Sequence, residues 1–165
     1  MTFAPRTWVV GEVVTGALMN TEIRDQFNSM FAAWSSYTPA WTGATTNPAI
    51  GNGSIVGRYI KVGRTVTAEV ILTMGSTTTY GSGSQEIGVP FTAAAAIVSY
   101  LGTARFTGAS TWLGQTYLIL GNNTMQVTFP AGSAVTTGAS MSPTVPETQS
   151  SGDILRAAIT YQSSS

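Results

Sequence analysis

The chain has 165 residues, 43% of them hydrophobic and only 8% charged, with seven basic and seven acidic side chains cancelling to zero formal charge. That composition supports one folded domain, or one domain with an extension, and offers no clustered positive charge from which nucleic-acid affinity could come. Histidine and cysteine are absent, which excludes disulfides, thiolate or imidazole metal sites and most acid–base chemistry poised near neutral pH.

The first residues carry Arg6 and then Thr7-Trp8-Val9-Val10-Gly11-Glu12, too short and too polar for a secretory signal. No apolar run reaches membrane-spanning length, so no membrane is expected as a partner. With so few charges, the surface must be built from Thr, Ser, Asn, Gln and Gly or be covered by neighbouring subunits.

A helix is predicted over about 15–34. Ile23, Phe27, Met30 and Trp34 recur at helical spacing, while Glu22, Arg24, Asp25, Gln26 and Asn28 fall off that stripe. Thr15 can cap its start, although Leu18 stands where a capping box would place an acid. The stripe has two readings: packing on its own domain, or a short bundle about a symmetry axis. The second is preferred, because the helix stands alone before a β module that has little need of it.

Ser35-Ser36-Tyr37-Thr38-Pro39 ends the helix. A boundary placed here divides an N-terminal docking segment, 1–36, from a β-sandwich display domain, 37–165. In the turn-rich stretch Gly43 to Ser54, Gly51, Gly53 and Gly57 imitate a nucleotide-binding pattern. The spacing is wrong and a strand follows where a helix should start, so it reads as a turn.

From Tyr59 to Met74 the alternation is regular. Ile60, Val62, Val66, Ala68, Val70, Leu72 and Met74 share one parity, and Lys61, Thr65, Thr67, Glu69 and Thr73 the other. If the apolar set shares one face, the hairpin needs a three-residue turn at Gly63-Arg64-Thr65, with Val62 opposite Val66 and Ile60 opposite Ala68. A two-residue Gly63-Arg64 turn is predicted against.

Further strands are expected at Gln85–Phe91, Ile97–Phe106, Gln115–Leu120, Met125–Phe129 and Asp153–Gln162, a spacing that suits a sandwich. Leu155, Ala157, Ile159 and Tyr161 share one face of the last. Tyr117 to Leu120 is apolar on both faces, which makes Leu118 and Leu120 either subunit contacts or part of a central strand under a loop.

No catalytic, cofactor or metal residues are predicted. The acids are scattered, and Glu86, Glu147 and Asp153, at strand or loop edges, are the ones an enzyme reading would have to use. Asn52-Gly53-Ser54 and Asn122-Asn123-Thr124 match the glycosylation sequon and read as turns. Tyr80 and Trp112, in loop-like stretches, are the candidates for stacking on a glycan.

The stretch "TWVVGEVVTGALMNTEIRDQFNSMFAAW", followed by "YTPAWTGATTNPAIGNGSIVGRYIKVGRTVTAEVILTMGSTTTYGSG", resembles minor structural proteins of tailed bacteriophages: minor tail, tail-fibre or head-fibre proteins, especially of actinobacteriophages. The most specific parts are the Trp8 to Thr15 opening, Asn20 with Arg24-Asp25, and Gly57-Arg58-Tyr59 with Val62-Gly63. The family often has Ala-Ala or Ala-Asp where this chain has Gly16-Ala17-Leu18. Gly152-Asp153-Ile154-Leu155 leading to Tyr161 looks like the last strand of jelly-roll modules in trimeric fibres.

The resemblance implies a non-enzymatic virion component, assembled in the host cytoplasm and then extracellular. It would be a homotrimer docked on other head or tail proteins through residues 1–36, with a β-sandwich displayed outward, where a bacterial surface glycan is the partner such a display serves. A carbohydrate-binding module and a polysaccharide-degrading enzyme are the alternative classes.

Overall fold

The computed structural model describes residues 7–95, 99–130 and 138–165. It is mainly β, with 48% strand and 9% helix. Arg6 and Ile97, the latter expected to open a strand, lie outside the described residues.

The helical segment is continuous but not uniform: α1 (Gly16–Met19), a π-helical turn (Asn20–Arg24) and α2 (Asp25–Met30). Thr15 caps it as its sequence position suggests, its hydroxyl accepting from the Leu18 amide at 3.3 Å. The Thr21 hydroxyl donates back to the Ala17 carbonyl at 3.1 Å, a local competitor for the backbone ladder where the turn widens. The helix stops at Met30 rather than Trp34, because Phe31 leaves helical geometry at φ −109°. Trp34 instead lies against the sheet, with the Arg58 guanidinium 4.9 Å from its ring centre.

Ten strands follow among the described residues: β1 (Ser35–Tyr37), β2 (Trp41–Gly43), β3 (Ser54–Val62), β4 (Thr65–Thr73), β5 (Gln85–Gly88), β6 (Tyr100–Thr107), β7 (Thr111–Leu118), β8 (Thr124–Pro130), β9 (Gly138–Ser140) and β10 (Ile154–Gln162). All pair antiparallel in one sheet of order β1-β3-β4-β10-β6-β7-β8-β5-β2, with β9 also on β8. The sheet curls until its two edges are joined by a single segment. β1 closes one edge and β2 the other, and only Thr38-Pro39-Ala40 separates them. Tyr37 donates to the Gly88 carbonyl at 3.3 Å and Gly88 donates to the Ala40 carbonyl at 2.8 Å, which holds the closure. The boundary expected at 36/37 therefore falls within β1.

The curl encloses one core. Val66, Ala68, Val70 and Leu72 of β4, Leu155, Ala157, Ile159 and Tyr161 of β10, Phe106 of β6, Leu118 of β7 and Met125, Val127 and Phe129 of β8 are all buried. The period-2 alternation of β4 and β10 reads this face correctly.

The β3–β4 hairpin overturns the predicted register. Val62 faces Thr65, Ile60 faces Thr67 and Tyr59 faces Ala68, so the turn is the two-residue Gly63-Arg64. Gly63 sits at φ +60°, the first central position of a II′ turn, whose twist matches that of the flanking strands. Arg64 is pinned in it: its carbonyl accepts from the Ser163 amide at 2.7 Å, and its guanidinium donates to the Ser163 carbonyl at 3.0 Å. The consequence is that Ile55, Gly57 and Tyr59 face inward while Val56, Ile60 and Val62 face out. Gly57 is required there, because a Cβ would overlap the Tyr37 ring laid on it.

Two stretches expected as separate loops run together. Ala44 donates to Ser84, Thr46 pairs with Ser82, Ala49 pairs with Thr79, and the Asn52 side chain accepts from the Thr77 amide at 2.9 Å. The Gly51–Gly53 glycine cluster is thereby the turn end of this ribbon, feeding β3. Asn52, in the first sequon, is occupied within it.

Candidate interaction surfaces

The N-terminal segment exposes what the sheet buries. Ile23, Phe27, Met30 and Phe31 are 41%, 57%, 51% and 82% exposed, and none of the described side chains of α1, the π turn or α2 is buried. The predicted stripe is present on one continuous helical segment, and Trp34 is the member that turns back to the sheet. Met19 and Phe31, which the stripe omits, join it. Met19 stands four residues before Ile23, so the same helical spacing extends the stripe to it.

The glycan candidates sit differently from their loop-like sequence context. Trp112 is in β7, opposite Phe106 of β6, and its indole donates to Glu147 Oε2 at 2.9 Å. Tyr80 lies within the paired ribbon, between the Thr79 and Ser82 pairings. Both are only partly exposed and pack against the core. Burial, and then the nearby Asp153 carboxylate, raise the Tyr80 hydroxyl above its usual pKa.

Glu147 and Asp153 meet here, both against Gly108, where a Cβ would run into their oxygens. Each is committed to holding a loop. Glu147 also accepts from the Ser110 amide at 3.1 Å and so fastens the β6–β7 turn. Asp153, 4% exposed, accepts from the Ser150 amide at 2.7 Å. Glu86 is elsewhere, on the outer face of β5, accepting from Thr124 at 2.6 Å and Gln126 at 3.2 Å. The three acids of the enzyme reading are therefore not one site. Among the described residues no group of three or more acidic, His or Cys side chains could hold a metal ion.

Leu118 is fully buried in the protein's own core, so it offers nothing to a neighbour. Leu120 lies just past β7 and is partly exposed.

Sequence reasoning missed a buried polar pair beside this region. The Gln85 and Gln149 amides exchange hydrogen bonds at 3.0 and 2.8 Å, and Gln85 also donates to the Tyr80 carbonyl at 2.7 Å. At 0% and 4% exposure they tie the 143–153 loop to β5. The only signal was a Gln on the inward parity of a short strand.

A tyrosine group marks the opposite end of the core. The Tyr161 hydroxyl donates to the Phe91 carbonyl at 2.8 Å and accepts from the Phe91 amide at 3.1 Å, and burial pushes its pKa up to about 12 even though the amide's hydrogen bond opposes the shift. Tyr37 is raised further by burial and by proximity to Tyr161. Both stay neutral and serve as structural hydrogen-bonding groups.

Comparison with protein-family models, with curated proteins and with solved structures finds no match to this chain.

Proposed function

We propose that this chain is a non-enzymatic structural component of a tailed-phage virion, a homotrimeric fibre or spike protein that docks through its N-terminal segment and displays its β domain outward. The observation that carries the reading is the unequal fate of apolar side chains. The sheet completes a core alone, while Met19, Ile23, Phe27, Met30 and Phe31 of the segment stand in solvent. Exposed apolar sets of this kind mark surfaces that partners cover. A helix this short is marginal in isolation, so its order also depends on packing.

In this reading the curled antiparallel sheet is a jelly-roll-like module, rigid and closed at its edges by β1 and β2. The commitment of Glu147 and Asp153 to loop anchoring supports the non-enzymatic role, and the half-burial of Tyr80 and Trp112 speaks against a dedicated sugar-stacking platform. Sedimentation equilibrium of the full chain tests the assembly: a trimer is expected, and a monomer at high concentration would defeat it. Electron cryo-microscopy of virions carrying the protein tests the location, with density for the segment expected against the particle and the β domain pointing away.

A further inference from the structure

One row on the outer face of the sheet is unusual for its chemistry. Val56 pairs with Ile71, Ile71 with Arg156, Arg156 with Arg105, and Arg105 with Leu113, a direct cross-strand line over β3, β4, β10, β6 and β7. Two arginines directly opposite each other repel. The other described cations have partners: Arg24 has Asp25, Arg58 has Glu69, Lys61 has the Ser165 carbonyl and Arg64 has the Ser163 carbonyl. Arg105 and Arg156 have no hydrogen bond or ion pair among the described residues. Their flanks are apolar and open, with Val56, Ile71 and Leu113 at 57%, 48% and 72% exposed. Around the arginines lies an open depression of ≈ 420 Å³, also lined by Glu69, Thr103 and Ala158.

We propose that this row is the docking site for the helical segment of a second copy of the chain. The charges are complementary: residues 7–34 hold Glu12, Glu22 and Asp25 against the single Arg24. The order is complementary too, since Glu22 and Asp25 lie between Met19 on one side and Phe27 and Met30 on the other. The lengths agree, with about 19 Å across five strands against about 16 Å of helix from Met19 to Met30.

The exposed area points the same way. A folded monomer of this mass exposes about 7,800 Å², while this chain exposes 9231 Å², an excess close to what one chain contributes to two standard interfaces, as a ring requires. Aliphatic side chains with arginine suit a protein surface better than a sugar, which would ask for exposed aromatic rings. A segment-to-sheet contact joins different patches of the two copies, and such a contact closes into a ring when the rotation permits.

The inference rests on the proposed self-assembly, and the test separates the two. In sedimentation equilibrium of the full chain, Arg105→Glu with Arg156→Glu should weaken association about a hundredfold or more, since like charges then face each other. Adding Glu22→Arg and Asp25→Arg to the same chain should restore it to within about tenfold of the original, by reversing both sides of the contact. A photo-crosslinker at position 113 should join residues 19–30 of another copy. Undiminished association of the arginine variant, or failure of the fourfold variant to recover, overturns this inference while the assembly reading survives, with the helices meeting each other instead. A crosslink to the same chain's segment also overturns it. A monomeric wild type that retains polygalacturonate through Arg105 and Arg156 overturns both.

Discussion

Phe106 and Phe129 meet edge to face at 6.1 Å with no more than 1% of either exposed, whereas Phe27 and Phe31 of the helical segment face solvent. The residues are the same; their surroundings differ. Between β1 and β10 each apolar side chain on the inward parity finds neighbours from several strands, because the sheet curls over them. The segment's helix sits beside β3, and with so few residues it encloses no core of its own. The β domain is self-sufficient, and the segment needs company.

The contrast is most severely tested in the core. Phe106→Ala should destabilise the β domain by about 3–5 kcal/mol in urea denaturation, through lost burial and the cavity left behind. A value near zero would mean that the enclosed core is not what holds the domain.

Next comes the alkaline limit, which only the β domain should feel, since every tyrosine lies after Trp34. Tyr161 has a folded pKa of about 12 against 10.0 for the free group, and Tyr37 is raised as well. A raised folded pKa gives stability that is complete below pH 10 and is lost as the pH climbs toward 12. The denaturation midpoint should therefore fall across that window, and Tyr161→Phe should flatten part of the fall.

A smaller effect is expected at the amide pair. Gln85→Leu strands the Gln149 amide and should cost about 1–3 kcal/mol, while Gln85→Leu with Gln149→Leu should recover part of the loss. Smallest for the domain is Phe27→Ala. It should move the denaturation midpoint of dilute protein by less than about 0.5 kcal/mol, as surface substitutions do, yet weaken self-association by about tenfold or more. A large stability loss would place the segment inside the domain rather than outside it.

Much of the architecture was legible in the residues. The alternation of β4 and β10, the Thr15 cap and the apolar stripe of the helix are local patterns, set by side-chain periodicity within one element, and the structure reproduces them. Strands β1, β2 and β9 escaped because three residues are too few for a period to register. The ribbon joining residues 44–53 to 75–84 escaped because Thr, Ser, Asn and Gly signal turns individually and carry no apolar pattern that would reveal their pairing. The Glu147–Trp112 and Gln85–Gln149 contacts join residues 35 and 64 apart in sequence, where no local spacing could connect them.

By itself the sequence determined that the chain is mainly β, that a short capped helix precedes the sheet, and which parity of β4 and β10 is buried. Only the tertiary structure decided the face of β3. Its even residues are the more apolar, yet Gly63 forms a two-residue turn, Arg64 is held by the end of β10, and Tyr37 needs the bare backbone of Gly57 beneath it. The turn is local, but the Arg64 and Tyr37 contacts come from distant parts of the chain, and together the three outweigh the hydrophobic pattern of one strand. They turn Val56 outward, to the end of the row in which Arg105 and Arg156 stand side by side.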